Sequence, residues 1–384
     1  VLNRSTKLSP IGLDIGGATL KLIQFRDEAG QPVLQAAANA DLPPAGDPGR
    51  GEAVARAIEQ ALKTQPFRGR HAVTALGPGE FQIKSIRLPH MPADELASAV
   101  QFEAQDRFEL GGRSAQFRHF PAGEVRHGNE LKDEIIVFAA PEDTIRERLA
   151  LLESLKLEPL AIDLAPCAMA RSFVRFLRRA EDARAVNVFI DVGWRATSIV
   201  ITHASDIAFL KLIDVGGQHF TEAIASSLGL GHAQALELRL RIMRQACARR
   251  DEDPAAVSAE IRNATSDAVR PLIERLQRDV QLCLRYFAVT FRGRRPDCLT
   301  FVGGAAHEPL LAATIAEAAD LPTAIGHPLR GIGRLDALAA REQRSFQPAW
   351  AVACGLALRG SRWVAAEALA GADRRGKPAV AAAS

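Results

Sequence analysis

The stretch Ile11-Gly12-Leu13-Asp14-Ile15-Gly16-Gly17-Ala18-Thr19-Leu20-Lys21 sets an acidic residue near the end of an apolar run, two glycines just after it, and a hydroxyl and a cation beyond. Ile11 to Ile15 and Leu20 to Phe25 read as two strands joined by the Gly16-Gly17 turn, a tight β-hairpin. An aspartate at a strand end beside a glycine turn brings a carboxylate next to free backbone N–H groups, a pairing that suits a metal-bound phosphate. Thr19 and Lys21 add their polar groups from the returning strand. Taken alone, the same residues also describe a hairpin whose aspartate only caps the turn. The functional reading therefore depends on whether the pattern returns.

It returns at Asp191-Val192-Gly193-Trp194-Arg195-Ala196-Thr197. Val188 to Asp191 reads as a strand, Gly193-Trp194-Arg195 as a turn, and Thr197 to Thr202 and Ile207 to Ile213 as two further strands. The chain thus contains a divergent internal duplication. Two such half-sites facing each other across a cleft would clamp a triphosphate from both sides. A third turn, Gly303-Gly304, follows the buried run Leu299 to Val302 and opens a helix, where backbone without side chains can approach a flat ring or a phosphate. Glycines after strands are common, but this ordered triple is hard to explain as turn chemistry alone.

The 384 residues, at roughly 150 per domain, fit two domains better than one small module. With 47% apolar and 24% charged residues, disordered and fibrous classes are excluded. No run approaches the roughly 18 apolar residues of a membrane span. Arg4 and Lys7 lead into a run broken by Asp14 and two glycines, unlike a secretory signal, so a cytosolic chain is expected. Five cysteines (167, 247, 283, 298 and 354), odd in number and set in apolar contexts, suit free thiols. The net charge of +3 is spread over interleaved acids and bases, and 5% aromatics offer no stacking platform, so nucleic acid is not expected as a partner.

Between the hairpins, a Pro/Gly-rich loop from Asn39 to Gly51 leads to a helix near Glu52 to Lys63 and a strand near Ala72 to Leu76. A strand through Phe81 to Leu88 follows, then a helix with Pro92 in its first turn and the stripe Leu96, Val100, Ala104 and Phe108. Gly111 to Asp133 reads as a loose polar hairpin before the buried strand Ile135 to Ala139. A helix at Glu142 to Leu155, a strand at Pro159 to Asp163 and a helix at Pro166 to Arg179 restore the α/β rhythm. Beyond Gly216-Gly217, three helices carry apolar stripes: Phe220, Ile224 and Leu228; Leu236, Leu240, Met243 and Cys247; and Val269 to Phe287. Pro309 to Ala319 and Trp350 to Leu358 read as further helices.

Strand, Asp-x-Gly hairpin, twice, then strand, Gly-Gly, helix resembles the actin, sugar kinase and Hsp70 ATPase superfamily. Lys84-Ser85-Ile86-Arg87-Leu88-Pro89-His90-Met91-Pro92 with Glu95-Leu96 and Phe102-Glu103-Ala104 resembles the inserted subdomain of the type IV pilus biogenesis PilM family. Asp214-Val215-Gly216-Gly217, Asp279 to Phe287 and the closing Ala353-Cys354-Gly355-Leu356-Ala357-Leu358-Arg359 are similar to it as well. The resemblance covers about residues 9 to 362. It implies an α/β, actin-like (ribonuclease H-like) duplicated fold with two lobes around a nucleotide cleft. The first lobe would span 9–80, completed by 141–184 and 348–370, with an inserted partner-binding subdomain at 81–140. The second would span 185–215, completed by 297–347, with a helical subdomain at 216–296 and a disordered tail at 371–384.

The resemblance further implies ATP with Mg2+ in the cleft. Asp14, Gly16, Gly17, Thr19 and Lys21 would form the first phosphate motif, and Asp191, Gly193 and Thr197 the second. Gly216 and Gly217 follow, Gly303 and Gly304 would meet the adenosine, and Asp14 and Asp191 would hold the metal or its waters. On the helix after Gly231, an acid and a lysine are expected to face ribose and base; the corresponding positions are Leu236 and Arg239, which read equally as an apolar stripe and a solvated charge. The implied role is a cytoplasmic scaffold of a pilus or secretion apparatus, peripheral to the inner membrane. It would bind the N-terminal tail of a single-span, PilN-like partner, without inserting into the bilayer, and self-association is compatible with it. A weak ATPase is compatible too, although no residue is assignable to hydrolysis. The alternative is a sugar or acid kinase, but Gly77 to Pro92 offers no aspartate for a base. An FtsA-type relative should end in an amphipathic helix, and Ala372 to Ser384 lacks the bulky apolar face.

Overall fold

The computed structural model describes residues 8–44, 46–127, 130–177, 179–247, 257–291, 295–335, 338, 347–361 and 363. In chain order the first half holds β1 (Ile11–Ile15), β2 (Thr19–Glu28), β3 (Gln31–Asp41), α1 (Arg50–Thr64), β4 (His71–Leu76), β5 (Gln82–Pro89), α2 (Ala93–Arg107), β6 (Ala115–His127), β7 (Glu130–Pro141), α3 (Glu142–Ser154), β8 (Glu158–Leu164) and α4 (Ala165–Val174). The second half holds β9 (Val186–Val192), β10 (Thr197–His203), β11 (Asp206–Ile213), α5 (Gly217–Leu228), α6 (His232–Cys247), α7 (Ala259–Thr290), β12 (Cys298–Val302), α8 (Leu311–Ala319), β13 (Thr323–Ile325) and α9 (Ala351–Ala357).

Two five-stranded sheets have the same order of parts, β3-β2-β1-β4-β8 and β11-β10-β9-β12-β13. Each is an antiparallel meander of three strands continued by two parallel ones. The duplication read from the hairpins is therefore a duplication of whole sheets. The short strand β13 had no periodic signal, being three residues long. The tail at 371–384 lies outside the described residues.

Close backbone approach explains Gly355 of the closing helix and Gly12 of β1. A Cβ at Gly355 would run into the Ala168 carbonyl oxygen of α4, and one at Gly12 into the Ala353 carbonyl. Thus α9 sits against both β1 and α4. Nearby, buried Asp163 accepts from Arg171 at 2.7 Å and Arg359 at 2.6 Å, and the two guanidiniums hold its carboxyl below the usual range against the pull of burial.

The insert differs from its expected form. Residues 115–127 and 130–141 are two long paired strands, not a loose hairpin, and with β5 they make a three-stranded sheet ordered β5-β7-β6. Most polar residues there are solvent-exposed, Glu134 being buried, and the pairing of the two long strands shifts register between Pro121 and Gly123. One face buries Ile86, Leu88, Ile135 and Val137 beneath Val100 and Ala104 of α2 and Phe108 just past its end. The other carries Ala122, Val125, Ile136 and Phe138 into the same core as Val280, Phe287 and Phe291 of the second half. The insert is thus braced on the second lobe as well as leaning on the first.

Candidate functional site

The two glycine turns are closed alike. Gly16 N–H donates to Thr19 O at 2.9 Å and Gly193 N–H to Ala196 O at 3.1 Å. Asp14 lies opposite Lys21 across the first hairpin, and Asp191 opposite Ser198 across the second. Both aspartates are half-buried. Burial raises the Asp14 carboxyl while Lys21 and Arg148 hold it down. Burial and the charge of Asp14 push Asp191 up to about 7, with Lys21 opposing. Two carboxylates from different lobes therefore share one buried lysine, whose Nζ donates to Thr19 Oγ1 at 2.6 Å. With both carboxyls ionised the set has one negative charge left over and oxygen donors, and a hard divalent cation such as Mg2+ would favour that ionised form.

The third turn joins the second aspartate. Gly303 has φ +90°, and a Cβ there would run into Asp191 Oδ1. Gly304 faces open space, with nothing within 4 Å of a Cβ position, room a flat ring could use. Ala305 N–H donates to Val192 O at 3.0 Å, tying this turn to the hairpin.

Other candidates have structural partners. Thr197 is fully buried and donates to Val215 O at 2.7 Å. Gly217 N–H donates to Gly193 O at 2.8 Å, and the Gly217 carbonyl accepts from Thr221 Oγ1 at 3.0 Å and Arg239 at 3.1 Å. Gly216 packs on the backbone of Trp194 to Ala196. Arg239 is not a solvated charge: only 3% exposed, it donates from Nε to Glu308 Oε2 at 2.7 Å. Leu236 is only half-buried, and the inward face of α6 is Ala235, Arg239, Ile242 and Met243. The buried stripe of α6 is thus turned relative to the one read from Leu236, Leu240, Met243 and Cys247, with Arg239 paired to Glu308 inside it.

Several site residues carried no sequence signal. Arg50 of α1 donates from Nη2 to Gly16 O at 2.7 Å and also bonds Pro43 O. Arg148 of α3 pairs with Glu80 at 2.6 Å and donates to Ala75 O at 2.7 Å beneath the first turn. Trp194 and Arg195 sit inside the second motif, but their roles depend on what they meet across the cleft. Among the described residues, no helix is long and apolar enough to cross a membrane.

Twin sheets, facing Asp-Gly hairpins and a third glycine turn define a two-lobed protein of the actin-like class. Within that class, the chain belongs to the type IV pilus assembly protein PilM family, whose model matches residues 12–361. It is similar to a solved structure of a PilM-PilN type IV pilus biogenesis complex, with 25% identity, a TM-score of 0.74, and 92% of this chain and 99% of that chain covered. The ethanolamine utilization protein EutJ from Carboxydothermus hydrogenoformans shares the fold at 13% identity and a TM-score of 0.54, over 93% of this chain and 91% of that one.

Proposed function

We propose that this type IV pilus assembly protein is a cytoplasmic scaffold that binds ATP with Mg2+ between its lobes. The observation that carries the reading is the pair Asp14 and Asp191, from duplicated hairpins, around a single lysine. Asp14 and Asp191 would hold the cation or its waters, the turn N–H groups would meet the phosphates, and Gly304 would leave room for the adenosine. Nucleotide acts here as a ligand that biases closure of the lobes. The family assignment favours this over the kinase alternative. Titration calorimetry tests it: Asp14→Ala and Asp191→Ala should each weaken Mg·ATP at least about tenfold, since each removes one charged ligand. Equal affinity in wild type and both variants removes the reading.

The partner would be the N-terminal cytoplasmic tail of a PilN-like inner-membrane protein, keeping the scaffold peripheral to the membrane. β5 is an outer strand of the insert sheet, so its outer edge can add an extended peptide through main-chain hydrogen bonds. Deleting the insert is a poor test, because its inner face is part of the main core. Amide exchange is better. A peptide of the tail should slow exchange in residues 82–89, and protection confined to another element would place the partner there.

A further inference from the structure

Between the two phosphate turns, the tip of the second hairpin holds two side chains that the nucleotide reading leaves without a role. Trp194 lies over Gly17 of the first lobe, where a Cβ would sit 2.7 Å from its Cδ1. The ring also reaches Gly217, within 3.4 Å of a Cβ there, and meets His232 edge-on with centroids 6.3 Å apart. The indole therefore covers the first glycine turn at the place where phosphates would pass.

Arg195 crosses the same gap. Its guanidinium lies 3.8 Å from a Cβ position at Gly79 of the first lobe. In the first lobe, Arg50 reaches the Gly16 carbonyl at 2.7 Å. One guanidinium from each lobe thus reaches the first lobe's loops, Arg50 at Gly16 and Arg195 at Gly79, and the two are close enough for their charges to act on each other. Burial and the charge of Arg195 both disfavour the protonated form of Arg50, with Glu80 opposing them. Glu80 is itself engaged, pairing with Arg148 and accepting from Gly77 N–H at 2.7 Å. Like charges brought together from two lobes repel across solvent and attract through an intervening anion. Planar guanidinium forks suit phosphate oxygens in particular.

We propose that Arg50 and Arg195 close on the terminal phosphate of a nucleoside triphosphate, one from each lobe, once the phosphates have displaced the Trp194 ring from Gly17. This rests on the nucleotide reading above. A diphosphate ends one group short of the pair, so the clamp discriminates ATP from ADP and makes closure depend on the terminal phosphate.

The test is calorimetry with Mg·ATP and Mg·ADP, together with tryptophan emission, on the full chain. Wild type should prefer ATP by tenfold or more, and Arg195→Ala should bring the ratio to within about twofold of one. Arg195→Lys, which keeps the charge but not the fork, should fall between. Arg195 is exposed, so its loss should leave folding intact, whereas Arg50→Ala also unbacks Gly16. ATP should change the emission of wild type and not of Trp194→Phe. A wild type that binds neither nucleotide overturns the nucleotide reading and this proposal together. Binding with no ATP preference, or a preference untouched by Arg195→Ala, overturns the clamp alone. An emission change that survives in Trp194→Phe overturns the displacement of the ring.

Discussion

Asp191 keeps its proton to about pH 7, well above the ordinary aspartate at 3.8, because burial and Asp14 both disfavour its charge. The folded chain therefore holds a proton that the unfolded chain has already released between those values. Stability from this site is full below about pH 4 and is lost as pH rises through about 7. Discounted for the solvent that reaches the cleft, the loss is about 2 kcal/mol. In nucleotide-free buffer, Asp191→Asn should flatten the slope of stability between pH 4 and 7 and gain about that much at pH 8, read from urea melts. No gain at pH 8 would mean that Lys21 already neutralises the carboxylate. The third turn offers a paired contrast. Gly303→Ala forces a Cβ at φ +90° into Asp191 Oδ1 and should cost about 2 kcal/mol or more. Gly304→Val meets nothing within 4 Å, so its melting temperature should stay near wild type while Mg·ATP affinity falls. Normal affinity in a folded Gly304→Val would remove the adenosine from this turn.

At the scale of elements, the buried pair Arg239–Glu308 ties α6 to the segment that follows the third glycine turn. Burial raises the Glu308 carboxyl and Arg239 opposes the rise. Removing one partner strands the other charge, so Arg239→Met should destabilise by about 3 kcal/mol or more. The double variant Arg239→Met with Glu308→Leu should recover most of that loss in thermal melts. A double variant as unstable as the single one would show that packing, not charge, holds the two elements together. None of this was legible in the sequence, because the two residues are 69 positions apart and α6 reads as an amphipathic helix with a polar arginine. The hairpin strands were legible for the opposite reason, since their alternation and their glycines lie within a few residues of each other.

Across the whole molecule, the insert connects the lobes. Glu134 of β7, 2% exposed, takes Arg87 Nε at 2.7 Å on one oxygen and the Tyr286 hydroxyl of α7 at 2.8 Å on the other. Tyr286→Phe removes the second bond and keeps the first, a loss of about 1 kcal/mol. Amide exchange in residues 130–141 should then quicken several-fold, with the melting temperature of the chain changed little. Unchanged exchange would mean that apolar packing alone holds the insert to the second lobe. If nucleotide moves one lobe against the other as proposed, this contact would carry the movement of α7 into the sheet that holds β5.

By itself, the sequence determined the duplicated hairpins, the three glycine turns and most helices, since turn geometry and periodicity depend on neighbours a few residues away. The long strands of the insert escaped, because their polar residues broke the apolar alternation, and only their pairing with each other, and of β7 with β5, makes them strands. Only the tertiary structure decided that Asp14 and Asp191 share one lysine, that the charges of Arg50 and Arg195 act on each other, that Arg239 is buried, and that the insert spans both lobes. Each of these depends on charge and burial summed over elements distant in the chain, and desolvation and Coulomb energy act through space, with no dependence on sequence order.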